Sequence, residues 1–331
     1  MLGWGNAVTI LPEMLYQQFG DEEALPRQYE SMKLFVEAEI RKMGKKNLWI
    51  GPSLGDWLAM GKGIAWQAMH NNPVSNAFIV HDLKVISETA ERLGKKADAD
   101  RYRRQLEATT KAYIEKFVSK KGIVAKDYQS AYIMALKFVL PEGELRELVK
   151  KNFAANIRKN GLQTGFFATE HLLPLLVEAG ETELAYDILL QEGCPGWMYQ
   201  VKCGATTTWE RWDALKPDGT VNEEKMAGSG DNMVSFNHYA FGSVGEFYYQ
   251  YILGIKPQKP GFAELHFEPY PDRRLGGVSG SYLSRAGKIE SSWKYEEDGC
   301  HISLNTPVKS EVVLPDGKKE TVEAGTYQWL C

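Results

Sequence analysis

The sequence has 331 residues, of which 44% are hydrophobic and 25% charged, and this composition is typical of a water-soluble protein with one large and one smaller domain. It carries 39 lysines and arginines against 43 aspartates and glutamates, a net charge of −4, with the two signs interspersed. This balance excludes an extended basic surface for nucleic acid or for an anionic membrane.

The cysteines and the first twenty residues indicate a reducing compartment. Cys194, Cys203, Cys300 and Cys331 have neither CxxC spacing nor a histidine at a ligand-like interval, so we predict free thiols and no structural zinc. The N-terminal segment has no basic start and is interrupted by Pro12, unlike a signal peptide or an anchor. We expect a cytoplasmic protein, unless an export signal precedes this segment, and a chain that starts part-way through a fold.

Apolar residues at helical spacing predict helices over the first three-quarters of the chain. One such stripe runs from Tyr29 to Met43, a second from Ile79 to Leu93, and a third from Tyr102 to Phe117. Glycine follows several of these segments directly, as is usual at helix ends. Further helices are predicted at 7–19, 128–139, 144–159, 169–179, 182–191 and 235–253, which makes about nine.

The connections between these helices differ in length in a regular way. Short polar turns alternate with long loops, and the long loops cover 44–74, 119–127, 160–168 and 192–234. Because short turns join antiparallel neighbours, the helices should pair as hairpins and the long loops should emerge at one end. Two of these loops, 44–74 and 192–234, also hold six of the nine tryptophans. We therefore predict a toroid of helical hairpins with its functional face at the loop end.

After Gly254 the pattern changes to that of β-strands. The segment AELHFEP alternates apolar and polar residues, and strand-like runs flank the turn sequences Asp298-Gly299 and Asp316-Gly317, as in hairpins. We predict a helical domain at 1–255 and a small antiparallel β domain at 256–331, with KPQKPG at 256–261 as the linker.

The longest loop contains GATTTWERW, in which Glu210 lies between Trp209 and Trp212. Aromatic rings stack on the C–H faces of sugars, and a carboxylate can activate water or attack an anomeric carbon. We therefore predict both tryptophans as sugar contacts. The alternative is a structural pair of Glu210 with Arg211 between two core tryptophans, and composition alone leaves both interpretations open.

Other segments of the loops carry similar groups. GDWLAMG sets Asp56 beside Trp57, although a cap on a helix that begins at Trp57 would also explain the aspartate. NHYAFG opens the last predicted helix and puts His238 at the rim of the longest loop, with a core histidine as the alternative. GWGNA adds Trp4 and Asn6, and TGFF and PGWMY complete the set.

Together these motifs resemble the bacterial α-L-rhamnosidases of glycoside hydrolase family 78. The resemblance runs from GWGNAVTILPEMLYQQFGD through PGWMYQVKCGATTTWERWD and SFNHYAFGSVGEFYYQYILGI into KPGFAELHFEPYPDRRLGG, so it covers nearly the whole chain. The pair ATTxWERWD and NHYAxGSV is specific to it. The resemblance implies an (α/α)6 barrel followed by a C-terminal β-sandwich, and hydrolysis of terminal α-L-rhamnose with inversion.

The resemblance also implies roles for residues. Glu210 matches the family's general base, which activates the attacking water. His238 and Trp57 match residues around the bound rhamnose. Trp4, Asn6 and Asp56 lie near the same pocket.

The chain departs from the family pattern at its start. Upstream of GWG, the family carries an acidic motif resembling D-C-P-x-R-x-E-x-x-G-W-x-G-D, which supplies the general acid and several rhamnose-binding carboxylates. Nothing like it occurs here, Asn6 stands where aspartate is usual, and Glu13 where tryptophan is common. An inverting site needs two carboxyl groups roughly 6.5–9.5 Å apart. We therefore expect that the first helices of the barrel are missing from this chain. Either the chain is a fragment of a longer enzyme, or it pairs with a second polypeptide, or it is a degenerate relative.

The leading hypothesis is an α-L-rhamnosidase whose partner is a carbohydrate, without nucleic acid or membrane partners. No cofactor or metal is implied, because no carboxylate or histidine cluster has ligand spacing. One alternative is a non-catalytic remnant that binds rhamnose or another glycan. The other is a different hydrolase on the same barrel.

Overall fold

The computed structural model describes residues 2–223 and 234–331. It divides into two compact units, one formed by Met1–Thr9 and Tyr29–Ser243, the other by Ile10–Gln28 and Val244–Cys331. The α-helices of the described residues are α1 (Ala7–Phe19), α2 (Ala24–Met43), α3 (Ile64–His70), α4 (Asn72–Arg92), α5 (Lys96–Phe117), α6 (Gln129–Phe138), α7 (Glu144–Asn160), α8 (Phe166–Glu178), α9 (Thr182–Leu190), α10 (Trp197–Lys202) and α11 (Val244–Phe247).

The three apolar stripes form the buried sides of α2, α4 and α5. Met32, Leu83 and Tyr102 are all completely buried, one on each of these helices. A three-residue turn with a left-handed glycine, Gly94, joins α4 to α5, so these two helices form one of the predicted hairpins. The other predicted helices begin and end within three residues of their expected positions, except the last one.

The last predicted helix, 235–253, is wrong over its first part. Residues 234–239 are irregular, a 3₁₀ turn follows at Ala240–Ser243, and α11 continues as a π-helical turn at Tyr248–Ile252. The irregular start has a physical cause, since its backbone groups bond to the neighbouring loop instead of to one another. The short helices α3 and α10, inside two long loops, were not predicted.

The second unit contains two four-stranded sheets. Their strands are β1 (Ile255–Pro257), β2 (Leu265–Phe267), β3 (Gly277–Ser284), β4 (Gly287–Glu296), β5 (Gly299–Thr306), β6 (Ser310–Val313), β7 (Lys319–Val322) and β8 (Gly325–Leu330). The orders are β1-β2-β6-β7 and β3-β4-β5-β8, and all pairs are antiparallel except β2 with β6. Both predicted hairpin turns are confirmed, between β4 and β5 and between β6 and β7.

Two sequence features of this unit have structural consequences. The segment predicted as a linker is partly strand, because Lys256 and Pro257 lie in β1 and pair with β2. Alternation along the strands buries Trp293, Ile302 and Phe267 in the interior of the unit. Among the described helices of both units, none combines the length and apolarity that a membrane span requires.

Candidate active site

A buried carboxylate, Asp56, organises one side of the candidate site. Its oxygens accept hydrogen bonds from the backbone N–H groups of Gly165 at 2.8 Å, Phe167 at 2.7 Å and Ala168 at 3.2 Å, and from the Ser130 hydroxyl at 2.5 Å. Burial raises the pKa of Asp56, while these four donors oppose the rise. The N–H groups belong to the start of α8, where helices leave such donors unpaired. Asp56 therefore caps a helix that is remote in sequence.

Trp57 lies in a turn next to this cap. The alternative prediction, in which Asp56 caps a helix beginning at Trp57, is wrong, because residues 57–63 are turns and irregular backbone and the next helix begins at Ile64. The Trp57 carbonyl oxygen accepts the backbone N–H of Phe166 at 3.0 Å. A Cβ atom at Gly165 would lie 2.1 Å from the same oxygen, so this close approach of two loops requires glycine.

The ring of Phe166 joins three parts of the chain. It stacks on the imidazole of His238 with centroids 4.7 Å apart and meets the edge of Trp4 at 6.1 Å. Trp4 also packs against Phe167, and its indole Nε1 donates to the Gly55 carbonyl at 3.3 Å. The sequence does not identify Phe166 as a site residue, although the TGFF segment contains it. Its signal was a glycine-aromatic pair in a long loop, which is too common to identify a site.

Glu210 and His238 are brought together by backbone pairing of two loop segments. The N–H of Glu210 donates to the Ser235 carbonyl at 2.8 Å, and the N–H of His238 donates to the Thr208 carbonyl at 2.9 Å. The Thr208 hydroxyl in turn donates to the His238 carbonyl at 2.6 Å. The hydroxyl of this ATTTWERW threonine therefore fixes the register between the segments that carry the two predicted site residues.

The Glu210 carboxylate is available for chemistry. Arg211 does not pair with it, but binds Asp213 through hydrogen bonds of 2.6 and 3.0 Å. The alternative prediction of a structural Glu210–Arg211 pair is therefore wrong. Among the described residues, the half-buried Glu210 carboxylate has no hydrogen bond or ion pair. Such a group can bind a hydroxyl or polarise a water molecule.

The His238 ring offers a single donor to the site. Its Nδ1 lies 3.3 Å from the backbone N–H of Ala240 and accepts a hydrogen bond from it, so in the neutral ring the proton is on Nε2. The side chain is half-buried in the loop before the 3₁₀ turn, not in a helix. Nε2–H has no partner among the described residues and can donate to a sugar hydroxyl.

The two tryptophans on either side of Glu210 are enclosed by protein. Trp212 has no exposed surface, stacks on Phe241 at 3.8 Å, and donates from Nε1 to the Thr164 carbonyl at 2.9 Å. Trp209 is 2% exposed. Their predicted sugar contacts stay predictions, and in this structure they anchor the backbone on both sides of Glu210.

Asn6 is also completely buried. Its Oδ1 accepts the N–H of Gly3 at 2.7 Å, and its amide donates to the carboxylates of Asp82 and Glu39. Burial and the neighbouring Asp82 raise the pKa of Glu39 well above its usual range. Sugar contact by Asn6 stays a prediction, and its visible contacts hold the turn that carries Trp4.

The cluster thus has one free carboxylate, one imidazole donor and exposed aromatic edges. The carboxylates of Asp56 and Asp213 have protein partners. Trp4 and Trp57 keep part of their surface open to solvent. This combination, set on loops between helices, is suited to a neutral polyhydroxylated ligand and to activation of water.

The fold and this site define a glycosidase of the six-hairpin class. The model of the bacterial α-L-rhamnosidase six-hairpin glycosidase domain matches residues 1–252, and that of the bacterial α-L-rhamnosidase C-terminal domain matches 254–328. The chain belongs to the bacterial α-L-rhamnosidase family, and the predicted (α/α)6 fold followed by a small β domain is confirmed.

Relatives of this chain support its assignment to the α-L-rhamnosidase family. The α-L-rhamnosidase of Alteromonas sp. (strain LOR) is 35% identical over 324 residues, which is 95% of this chain and 34% of that protein. The α-L-rhamnosidase of Streptomyces avermitilis is 32% identical, over 97% of this chain and 30% of that protein. The chain spans about a third of the length of these curated relatives.

Solved structures give the same result. The Streptomyces avermitilis α-L-rhamnosidase complexed with L-rhamnose superposes with a TM-score of 0.90 at 29% identity, over 99% of this chain and 33% of that one. Native α-L-rhamnosidase from Aspergillus terreus also gives 0.90, at 30% identity, over 98% of this chain and 38% of that one.

Proposed function

We propose that this chain carries the water-activating side of an inverting α-L-rhamnosidase active site, which acts on terminal α-L-rhamnose. The observation that carries the proposal is the Glu210 carboxylate, which has no described protein partner although an arginine follows it directly in the sequence. Membership of the α-L-rhamnosidase family supports the sugar.

Each residue has a role that its chemistry allows. Glu210 acts as general base and removes a proton from the attacking water. His238 donates from Nε2 to a rhamnose hydroxyl, while Trp57 and Trp4 form apolar walls for the ring and its methyl group. Phe166 keeps the imidazole in place by stacking, and Asp56 acts through the start of α8 as a positioning residue.

An inverting reaction also needs a general acid on the other side of the scissile bond. Of the carboxylates that the described loops bring to the cluster, only Glu210 lacks a partner. We propose that the acid comes from a segment outside this chain, in the same polypeptide or in a second one. We also propose residue 255 as the boundary between the catalytic domain and the β domain.

Calorimetric titration of the chain with L-rhamnose, alongside hydrolysis of an aryl α-L-rhamnoside, tests the proposal. We expect binding, and turnover at least about 10²-fold below that of a complete enzyme, because a general acid contributes about 10²–10⁴. Where turnover is measured, Glu210→Gln should abolish it and Glu107→Gln, an exposed glutamate on α5, should not. Absence of rhamnose binding, or equal turnover by the Glu210→Gln variant, would overturn the proposal.

A second candidate is a non-catalytic rhamnose-binding protein, which the single unpartnered carboxylate favours. It predicts rhamnose binding without turnover even after the family's acidic segment is fused upstream. Turnover by that fusion, lost on Glu210→Gln, would exclude it.

A further inference from the structure

Two of the four cysteines lie directly opposite each other on neighbouring strands of the second unit. Cys300 is the second residue of β5, and Cys331 follows the last residue of β8. These strands are antiparallel, and His301 pairs with Leu330 at the end of their register. The next step along both strands brings Cys300 opposite Cys331. We call these two residues the cysteine pair.

Backbone hydrogen bonds fix the cysteine pair. The N–H of Cys300 donates to the Cys331 carbonyl at 2.8 Å, and the N–H of Cys331 donates to the Cys300 carbonyl at 3.0 Å. Residues that exchange both bonds in this way form a hydrogen-bonded pair, with Cα atoms about 5.5 Å apart. Disulfide-bonded cysteines most often have a Cα separation of about 5.5–6 Å. The backbone therefore holds the pair at the separation that a disulfide requires.

The two thiols point to the same face of their sheet. Directly opposed residues of an antiparallel pair project to one side. Cys300 is buried and alternates along β5 with exposed positions, on the same side as Ile302 and Leu304. Cys331 is half-buried, and both cysteines have free thiols in this structure. A reagent can therefore reach Cys331 first, and Cys300 lies behind it.

Closure of the bond requires a small movement. The Cβ atoms of directly opposed residues are about 4.5–5.5 Å apart, whereas those of disulfide-bonded cysteines are about 3.5–4.5 Å apart. Because β8 is an edge strand, Cys331 can move by about 1 Å towards β5 without displacing another strand of its sheet. A disulfide closed with some distortion is easier to reduce than a relaxed one.

Both thiols are mainly protonated at neutral pH. Burial raises the pKa of Cys300, Cys331 raises it further, and Arg273 opposes the rise. Burial also raises the pKa of Cys331; the Asp316 carboxylate adds to this rise, while a backbone hydrogen bond at Asp316 and the charge of Lys318 oppose it. Because only the thiolate attacks a disulfide, exchange is slow at neutral pH and faster in mild alkali.

We propose that Cys300 and Cys331 are a redox modification site, which forms a reversible disulfide by exchange with a small-molecule disulfide such as oxidised glutathione. The Cys331 thiolate attacks one glutathione sulfur, forms a mixed disulfide and releases the first glutathione thiolate. The Cys300 thiolate then attacks the Cys331 sulfur and releases the second. Two protein thiols are oxidised and one reagent disulfide is reduced, and the two protons pass to the released thiolates.

The bond fastens the edge strand of the sheet. Within its sheet β8 pairs only with β5, and the cysteine pair lies at the end of that pairing. The bond also closes a ring of chain that contains the hairpin of β6 and β7, which restricts the unfolded state. The oxidised second unit should therefore be more stable than the reduced one. This site does not depend on the activity proposed for Glu210.

Oxidation of the whole folded chain, followed by peptide mass spectrometry, tests the site. The chain is incubated with excess oxidised glutathione at about pH 8.5, and the remaining thiols are alkylated. Trypsin then releases Cys300 in peptide 295–309 and Cys331 in peptide 320–331. We expect these two peptides to be cross-linked in most of the chain, and excess reduced glutathione to separate them. In concentrated urea, where the register is lost, the same cross-link should be a minor product.

Calorimetry measures the consequence for stability. Oxidation should raise the transition that includes the second unit by at least about 4 °C. Cys331→Ser should abolish both the cross-link and this rise, whereas Cys203→Ser, which removes an exposed thiol of the first unit, is the matched control and should leave both unchanged. If the two thiols of the folded chain stayed free or became separate glutathione adducts, the disulfide would be excluded. An unchanged transition in the cross-linked chain would refute the fastening of β8.

Discussion

Removal of the Asp56 carboxylate should destabilise the helical unit and loosen the start of α8. In Asp56→Ala, three backbone N–H groups and the Ser130 hydroxyl lose their acceptor in a fully buried position. An unsatisfied buried donor costs about 1–3 kcal/mol, but the first turn of a helix can partly open to water. We therefore expect a loss of about 3–5 kcal/mol in the free energy of unfolding.

The Asp56→Asn variant separates charge from shape. Its amide oxygen can still accept from Phe167 and Ala168, while its NH₂ group faces the N–H of Gly165, which then loses its acceptor. We expect a loss of about 1–3 kcal/mol, smaller than for alanine. Asp218→Ala is the control, because among the described residues this exposed aspartate bonds only within its own turn, and its removal should change stability by less than about 1 kcal/mol.

Urea unfolding followed by far-ultraviolet circular dichroism measures the free energies, and hydrogen exchange of peptides that cover 164–170 measures the local effect. We expect exchange at the start of α8 to accelerate in both Asp56 variants. L-rhamnose affinity should fall with it, because Phe166 supports His238. If Asp56→Ala left stability within about 1 kcal/mol of the parent while abolishing rhamnose binding, Asp56 would be a direct sugar contact and the capping argument would be refuted.

Three further changes test the site and, separately, the second unit. Gly165→Ala should cost about 1–3 kcal/mol or more in thermal unfolding, since its Cβ would lie 2.1 Å from the backbone oxygen of Trp57, and an unchanged melting temperature would contradict this. His238→Phe keeps the stacking area but loses Nε2–H, so L-rhamnose affinity should fall about tenfold in calorimetry, and equal affinity would exclude the hydrogen bond; stability should fall by about 1 kcal/mol, because the Ala240 N–H loses its acceptor, Nδ1. The hydrogen bond with His266 lowers the pKa of Glu268 to about 2 and raises the pKa of His266. The pair therefore stabilises the folded state fully between about pH 4.5 and 6.5. This stabilisation is lost as the pH falls towards 2 and as it rises through the pKa of His266. Glu268→Gln should therefore cost about 1–2 kcal/mol near pH 5.5 and less near pH 3 in urea titrations, and a pH-independent cost would contradict the ion pair.

The positions of most helices could be predicted because their signal is local. The stripe from Tyr29 to Met43 follows the helical period and fills one buried side of α2. Likewise, Asp298-Gly299 and Asp316-Gly317 determine hairpin turns through backbone conformations available to few residue types. The last predicted helix failed where tertiary bonds to Thr208 and Glu210 compete with helical ones.

The candidate site was only partly predictable for the same reason. Residue types and motifs pointed to Glu210, His238 and Trp57, because carboxylates, imidazoles and indoles in loops are rarely needed for packing alone. The sequence does not show which hydrogen-bond or ion-pair partner each of these side chains has. Sequence neighbours suggested a Glu210–Arg211 pair, whereas Arg211 binds Asp213 two residues away.

The sequence by itself determined the helical hairpins, the β domain and the family, because periodicity, turn residues and motifs are properties of short segments. Only the tertiary structure decided which side chains lack a described protein partner and which hold a helix or loop in place. It made Asp56 the cap of a helix more than a hundred residues away, and left Glu210 without a described partner. The physical reason is that hydrogen-bond partners depend on how loops pack, and a buried carboxylate must take the donors that packing brings to it.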